Sequence, residues 1–402
     1  MTASAPAASS DSSPEQQHFS LVLGGPLFRF LCRARLADHA LGFLPRRIIA
    51  FSLLAWLPLL VLCAFERRLL GGAAVPFLMD VEVHVKFLLA VPLLLAAELT
   101  VHQRLRFIAR QFLDRKLIPD NALSRFDAAI ASVVRRRESA VAEALLIAFV
   151  YAVGISVIWR HYTSLDTATW YASSSAEGSK LSLAGIWYGY VSLPIFQFLL
   201  CRWYYRLFIW IAFLWKVSRI RLSLIPTHPD STGGIGFLGN TIVAFMLLAS
   251  AHGALLAGQI GERIFHLGAL LTEFEIEGGI VLVFLLCMIV APLLMFAPQL
   301  AAAKRAGRRE YGTLAQHYVR SFDVKWLRGG APAAESLLGS SDIQSLADLA
   351  NSVALVQHMR IAPITRGAVL QLAGAMLVPM LPLALTVMPL AELVKALFKM
   401  LA

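Results

Sequence analysis

Pro226-Thr227-His228-Pro229-Asp230-Ser231-Thr232-Gly233-Gly234-Ile235-Gly236-Phe237-Leu238-Gly239 is a polar, turn-forming passage in an otherwise apolar chain. Its last six residues spell GxGxxG, which marks a dinucleotide site only when a strand precedes it and a soluble helix follows. Here no strand precedes it, and residues 240–261 form an apolar run long enough to cross a bilayer. The dinucleotide reading is excluded, and the passage becomes a turn at the mouth of a membrane helix. Prolines and glycines at this density cannot continue a helix, so the backbone turns tightly. The start of the following span aims free N–H groups and the positive end of its dipole outward. An anionic group is expected to dock there against Gly233, Gly234 and Gly236, with His228 and Asp230 beside it. The competing reading is that Asp230, Ser231 or Thr232 caps the span and the glycines only permit the turn.

Working outward, the composition agrees with a membrane chain. Of 402 residues, 58% are hydrophobic and 15% charged, and the mean hydropathy is +0.68, which excludes a set of soluble domains. Seven apolar runs approach the ~20 residues a span needs. They centre on 48–65, 86–101, 140–159, 187–210, 240–261, 279–299 and 367–390. The expected fold is therefore an all-α polytopic bundle of about seven spans with short cytoplasmic amphipathic helices.

The net charge of +11 suits membrane topology better than nucleic acid, because Lys and Arg cluster in alternate loops. Five Arg precede the first span and nine Lys or Arg separate the second from the third, against two in each intervening loop. This places the N-terminus in the cytoplasm and the C-terminus in the periplasm. Glu262, Glu273, Glu275 and Glu277 suit an external loop between spans five and six.

Residues 1–18 lack large apolar groups and are expected to be disordered. Segment 19–47 reads as interfacial, 48–303 as spans one to six with a basic helical loop at 103–137, 304–366 as a cytoplasmic helical region, and 367–402 as the last span and C-terminus. Within the cytoplasmic region, 310–327 and the stretch after Ser341 repeat apolar residues at helical spacing. Pro92-Leu93-Leu94-Leu95-Ala96-Ala97 echoes Pro292-Leu293-Leu294-Met295-Phe296-Ala297, which predicts parallel repeats of spans 1–3 and 5–7 around span four.

Charges inside apolar runs are the candidates for chemistry. Arg202 and Arg206 share one face of span four, at about 2.5–3.5 kcal/mol each unless paired or snorkelling. Glu98 and Glu143 each lie six residues from a basic boundary, about 9 Å inside it, and are the expected partners. Arg206, nearer the cytoplasm, is expected to reach lipid phosphate. His252, in span five, is a further candidate on an ion pathway. His228-Pro229-Asp230 matches the tripeptide of J-domain cochaperones, but apolar spans flank it where that domain has soluble helices. Cys32, Cys63, Cys201 and Cys287 form no CxxC pair and read as small packing residues. No P-loop, HExxH, kinase or Ser-His-Asp signature occurs, so no enzyme, metal or cofactor is indicated.

Pro226 to Leu238, Glu310-Tyr311-Gly312, Phe322-Asp323-Val324-Lys325-Trp326, Asp342 to Leu349 and Pro379-Met380-Leu381-Pro382-Leu383 together resemble an uncharacterised family of bacterial multi-pass membrane proteins. The resemblance implies a bacterial inner-membrane location and brings no activity with it. Three functions stay open: a channel or transporter for a small anion or protons, a membrane-anchored binding or signalling scaffold, and an enzyme acting on a lipid-linked substrate at the cytoplasmic face, with His228 and Asp230 as acid or base. The expected partners are the lipid bilayer, a second copy of the chain and a cytoplasmic protein, with no nucleic acid.

Overall fold

With no water to satisfy its peptide groups, a chain inside a bilayer must pair them within helices. The computed structural model is accordingly an all-α polytopic bundle. It describes residues 19–36, 38, 42–159, 169–175, 178–332, 335–337 and 339–386. The expected disordered tail and the end of the last span lie outside the described residues.

A short amphipathic helix, α1 (Pro26–Arg33), precedes α2 (Leu44–Phe65) and α3 (Val81–Asp114). Helix α4 (Leu123–Arg137) folds back, and α5 (Ala140–Phe149) runs on through π-turns at Val150–Trp159. An antiparallel hairpin of β1 (Ala172–Ser175) and β2 (Gly178–Leu181) leads into α6 (Leu183–Ser218). Then follow α7 (Gly236–Leu267), α8 (Leu271–Leu327), α9 (Ser341–His358) and α10 (Arg366–Ala384). Helices α2, α3, α6, α7, α8 and α10 are long and apolar enough to cross a membrane, while α5 is apolar through Gly154 but shorter.

Two boundaries differ from the sequence reading. The basic helical loop 103–137 folds back between Asp114 and Leu123, but it has no boundary at 103, because nothing breaks the helix before Asp114 and α3 carries straight on into it. Its apolar side is core: Phe112 and Phe126 are buried with ring centroids 5.8 Å apart. Likewise span six and the helix at 310–327 are one helix, α8, of 57 residues. Its sequence from Ala301 to Phe322 contains only Gly307 and Gly312 as weak helix formers and no proline, so the helix leaves the membrane without a turn.

At three prolines the α geometry gives way, whereas Pro58 sits within the continuous helix α2. Pro92 follows a π-turn at Lys86–Ala90, Pro194 follows one at Tyr188–Ser192, and Pro292 lies in a 3₁₀ stretch at Ala291–Phe296. A proline ring crowds the carbonyl four residues back and offers no N–H, so a local change of winding relieves both.

Lipid-facing positions are apolar and outward, such as Leu53, Leu54 and Leu57 on α2, whereas α7 is the most enclosed span. It meets α10 closely. A Cβ on Gly253 would stand 1.8 Å from the Met376 carbonyl oxygen, and Ser250 Oγ donates to the Ala375 carbonyl at 2.8 Å. Gly253→Ala must therefore push the two helices apart, at about 1–3 kcal/mol for overpacking. Gly374, with nothing within 4 Å of its added Cβ, is the control. The melting temperature in detergent should fall for Gly253→Ala and hold for Gly374→Ala; equal values would mean that the α7–α10 contact is not tight.

Candidate functional site

Charged side chains from four helices converge in the bundle. Glu98 on α3 accepts from Arg206 Nη1 on α6 at 2.7 Å and also pairs with Arg47 on α2. Arg202, one turn earlier on α6, faces Glu143 on α5, with Nη2 3.4 Å from Oε1. The other Glu143 oxygen accepts the Leu27 backbone N–H at 2.8 Å, which ties α1 to the cluster. All five charged residues are buried. Trp203, whose ring lies under the Arg206 guanidinium at 5.0 Å, donates its own N–H to the Leu94 carbonyl.

Arg206 does not snorkel. It is only 3% exposed, because the far end of α6 is covered by α4 and the continuation of α3 rather than by lipid headgroups. Arg47 was missed as a member because an arginine at the edge of a span reads as a topology signal. Its position one residue after Arg46, at the first turn of α2, was the only clue.

A second polar group gathers at the first turns of α3 and α6. Asp80 caps α3 through the Val83 N–H at 2.9 Å and accepts the buried Trp170 indole N–H at 2.8 Å. Glu82 pairs with Lys86 at 2.7 Å, and Lys86 reaches the Tyr188 hydroxyl at 3.1 Å. From α7, Glu262 accepts the Val81 N–H at 3.0 Å and lies 3.1 Å from His266 Nδ1. Asp80, Glu82, Glu262 and His266 line a cavity of about 180 Å³. Along α3, Lys86 and Glu98 are twelve residues apart, about 18 Å. Phe87, Val91, Leu94 and Leu95 are buried between them. The sequence signal for this group was Lys86 itself, an ammonium in the first turns of an apolar run.

His252 stands between α6 and α7. Its Nδ1 lies 2.8 Å from the Leu248 carbonyl, so that nitrogen carries the proton, and Nε2 accepts the Tyr204 hydroxyl at 2.7 Å. With both nitrogens partnered, the imidazole is a link between two helices.

The glycine-rich turn is closed on itself. Asp230 Oδ1 accepts the N–H groups of Thr232 and Gly234 at 2.7 and 3.1 Å, and Oδ2 accepts that of Gly236 at 2.8 Å. The donors expected to receive an anionic ligand thus hold the chain's own carboxylate. Ser231 at φ 55°, Gly233 at 64° and Gly234 at 99° wrap the backbone around it. Gly236 is needed for a different reason, since its Cβ would lie 2.9 Å from Asp230 Oδ2. With its lone pairs so engaged, Asp230 is a poor general base, and His228, 3.0 Å from Oδ1, has no free carboxylate to work with. The turn is a junction instead: Arg115 donates to the Gly234 carbonyl at 3.1 Å and Arg360 to that of Asp230 at 3.1 Å.

Among the described residues no group of three or more His, Cys, Asp or Glu side chains is arranged to hold a metal. No family model, curated protein or solved structure matches the chain.

Two outcomes follow from this geometry. Glu98 balances two arginines, so Glu98→Leu should be the most damaging single change in the cluster, at about 3–5 kcal/mol for stranding buried charge. Arg206→Leu should cost less, and Arg202→Leu least, because Glu143 keeps its backbone donor. A double-mutant cycle on melting temperature should show Glu98→Leu and Arg206→Leu strongly coupled; additivity would dissolve the pair. For Asp230, burial alone would raise the pKa, but the N–H groups of Thr232, Gly236 and Gly234, helped by His228, hold it below the ordinary 3.8. A carboxylate with a lowered folded pKa stabilises the fold fully above its unfolded pKa, and that contribution is lost as pH falls through the folded value. Acidification below about pH 4 should therefore lower the melting temperature of the native chain more than that of Asp230→Asn, which should already be less stable at pH 7. Parallel curves would show that the carboxylate is not used as a charge.

Proposed function

We propose that this integral membrane protein is a transporter that moves a small anion in step with protons. The observation that carries the reading is the pair of buried charged groups on the same two helices, α3 and α6, one at their first turns and the other near their middles, separated by an apolar plug. Arg47, Arg202 and Arg206 face Glu98 and Glu143, three positive charges against two negative. A buried excess of one positive charge is costly, and a monovalent anion beside Arg202 would offset it. In the other group, Asp80, Glu82 and Glu262 offer carboxylates that can take and release protons. The π-turns at Lys86–Ala90 and Tyr188–Ser192 lie at the carboxylate side of the plug and give both helices a place to change winding. By the positive-inside rule the arginine side faces the cytoplasm of a bacterial inner membrane and the carboxylate side the periplasm.

The test is flux in liposomes holding the purified protein, with chloride, nitrate and phosphate as probes and an imposed pH gradient as the driving force. Uptake of at least one anion with a matching pH change is expected. It should be abolished by Glu82→Gln and cut severely by Arg202→Leu. Folded protein that passes neither anions nor protons above empty vesicles ends the proposal. A scaffold is the second reading, favoured by Leu314, Val319, Val324 and Leu327, all exposed on the far half of α8. It predicts copurification of a protein partner that is lost on mutating these four, with no flux.

A further inference from the structure

Between α1 and the ends of α3 and α4 lies a cavity of about 830 Å³. Its lining carries four guanidiniums, Arg29 and Arg33 from α1, Arg106 from α3 and Arg137 from α4, with Glu138 as the one carboxylate among the described residues. Phe19, Leu23 and Phe28 add apolar surface to the same lining. The space is far larger than a bare oxyanion requires and falls in the range of sites that enclose an organic ligand.

Arg137 is the most constrained of these groups. Its side chain is 10% exposed. Nη1 donates to the Ser20 carbonyl at 3.0 Å and Nη2 to Glu138, while Nε is buried with no acceptor among the described residues. The main chain is held against this guanidinium by Gly24 at φ +132°, where an added Cβ would come within 2.6 Å of Nε. Helix α1 supplies the outer lip. Phe30 is 64% exposed between the exposed Arg29 and Arg33, the pattern of a helix lying in a membrane interface with its ring toward acyl chains and its arginines at phosphate level.

We propose that this cavity binds a phosphoryl head group. The phosphate sits among the arginines, and its glycerol or other organic substituent lies against Phe19, Leu23 and Phe28. Four guanidiniums arriving from three helices suit a tetrahedral phosphate, which offers more acceptor oxygens and directions than a planar carboxylate. The ligand comes from the bilayer as an anionic phospholipid or from solution as a phosphate ester. Either source is independent of the transport reading, since the transport-bearing cluster at Arg202 does not line this cavity.

Arg29 and Arg33 are exposed, so R29Q/R33Q removes half of the guanidiniums without touching the core. R125Q/R221Q, at a separate basic groove on the same end, is the control for general attraction between charges. Lipid retention by the full-length protein is read by native mass spectrometry with phosphatidylglycerol and phosphatidylcholine, and melting temperature is read with glycerol 3-phosphate. For a lipid ligand, phosphatidylglycerol is retained over phosphatidylcholine, and retention weakens roughly tenfold in R29Q/R33Q but holds in R125Q/R221Q. For a soluble ligand, glycerol 3-phosphate raises the melting temperature of the native chain and not that of R29Q/R33Q. The proposal is overturned if neither probe separates R29Q/R33Q from the native chain, or if R125Q/R221Q loses as much.

Discussion

A carboxylate shared by two arginines inside an apolar bundle is the constraint on which the remaining architecture depends. Each of these ions loses several kcal/mol of hydration on burial, and the loss is tolerable only while Glu98 stands between Arg47 and Arg206. That requirement sets the axial register of α2, α3 and α6 against one another, because sliding any of them by one turn would leave a charge without its partner. Glu143 extends the same constraint to the N-terminal segment. By accepting the Leu27 N–H it seats residues 19–33 over the bundle, where Phe19 packs on Trp210 and Phe213 at centroid distances of 6.2 and 5.2 Å. A segment whose glycines and arginine suggest a surface strip therefore begins as core.

What could be read in advance follows the same physics. Spans are legible because lipid imposes one long apolar signal, and Glu98, Glu143, Arg202 and Arg206 stand out as charges within it. Which arginine meets which glutamate is not legible, since it depends on the rotation of α3, α5 and α6 about their own axes. Arg47 and Asp80 are hidden for a different reason: at the end of a span a charge has an ordinary explanation as an anchor or a cap. In the glycine-rich turn, composition shows that the chain must bend. Only the positive φ at Ser231, Gly233 and Gly234 turns the amides toward Asp230, and a serine in that conformation has no sequence signature. His252 stands out in the sequence because it is polar within a span, but its partners, a helix carbonyl and Tyr204, depend on how α6 and α7 face each other and cannot be read there.

The polar groups at the start and at the middle of α3 differ in how they are stabilised. In the arginine cluster each carboxylate is paired with arginine from another helix, so the group is as rigid as the packing of those helices. In the carboxylate group, Asp80 and Glu262 rely on backbone N–H groups at the start of α3, and Lys86 lies in the first residue of a π-turn. Its partners shift if that turn changes winding. Rigidity at the middle and adjustable winding at the start are what a helix needs if its start is to move while its middle holds its place.

Helix α8 gives such small changes a long reach. Its 3₁₀ stretch ends at Phe296 and the helix continues to Leu327, an arm of about 47 Å at the normal rise. Helix α9 is packed along that arm, where the Tyr318 hydroxyl donates to the Asp342 carbonyl at 3.0 Å and Lys325 pairs with the Asp342 carboxylate at 2.8 Å. A tilt of about ten degrees at the 3₁₀ pivot sweeps the tip of the arm, and α9 with it, through about 8 Å for this length. The glycine-rich turn sits against the root of this arm, where a Cβ on Gly307 would lie 2.6 Å from Pro226, so such a tilt would press first on the turn that Asp230 holds closed.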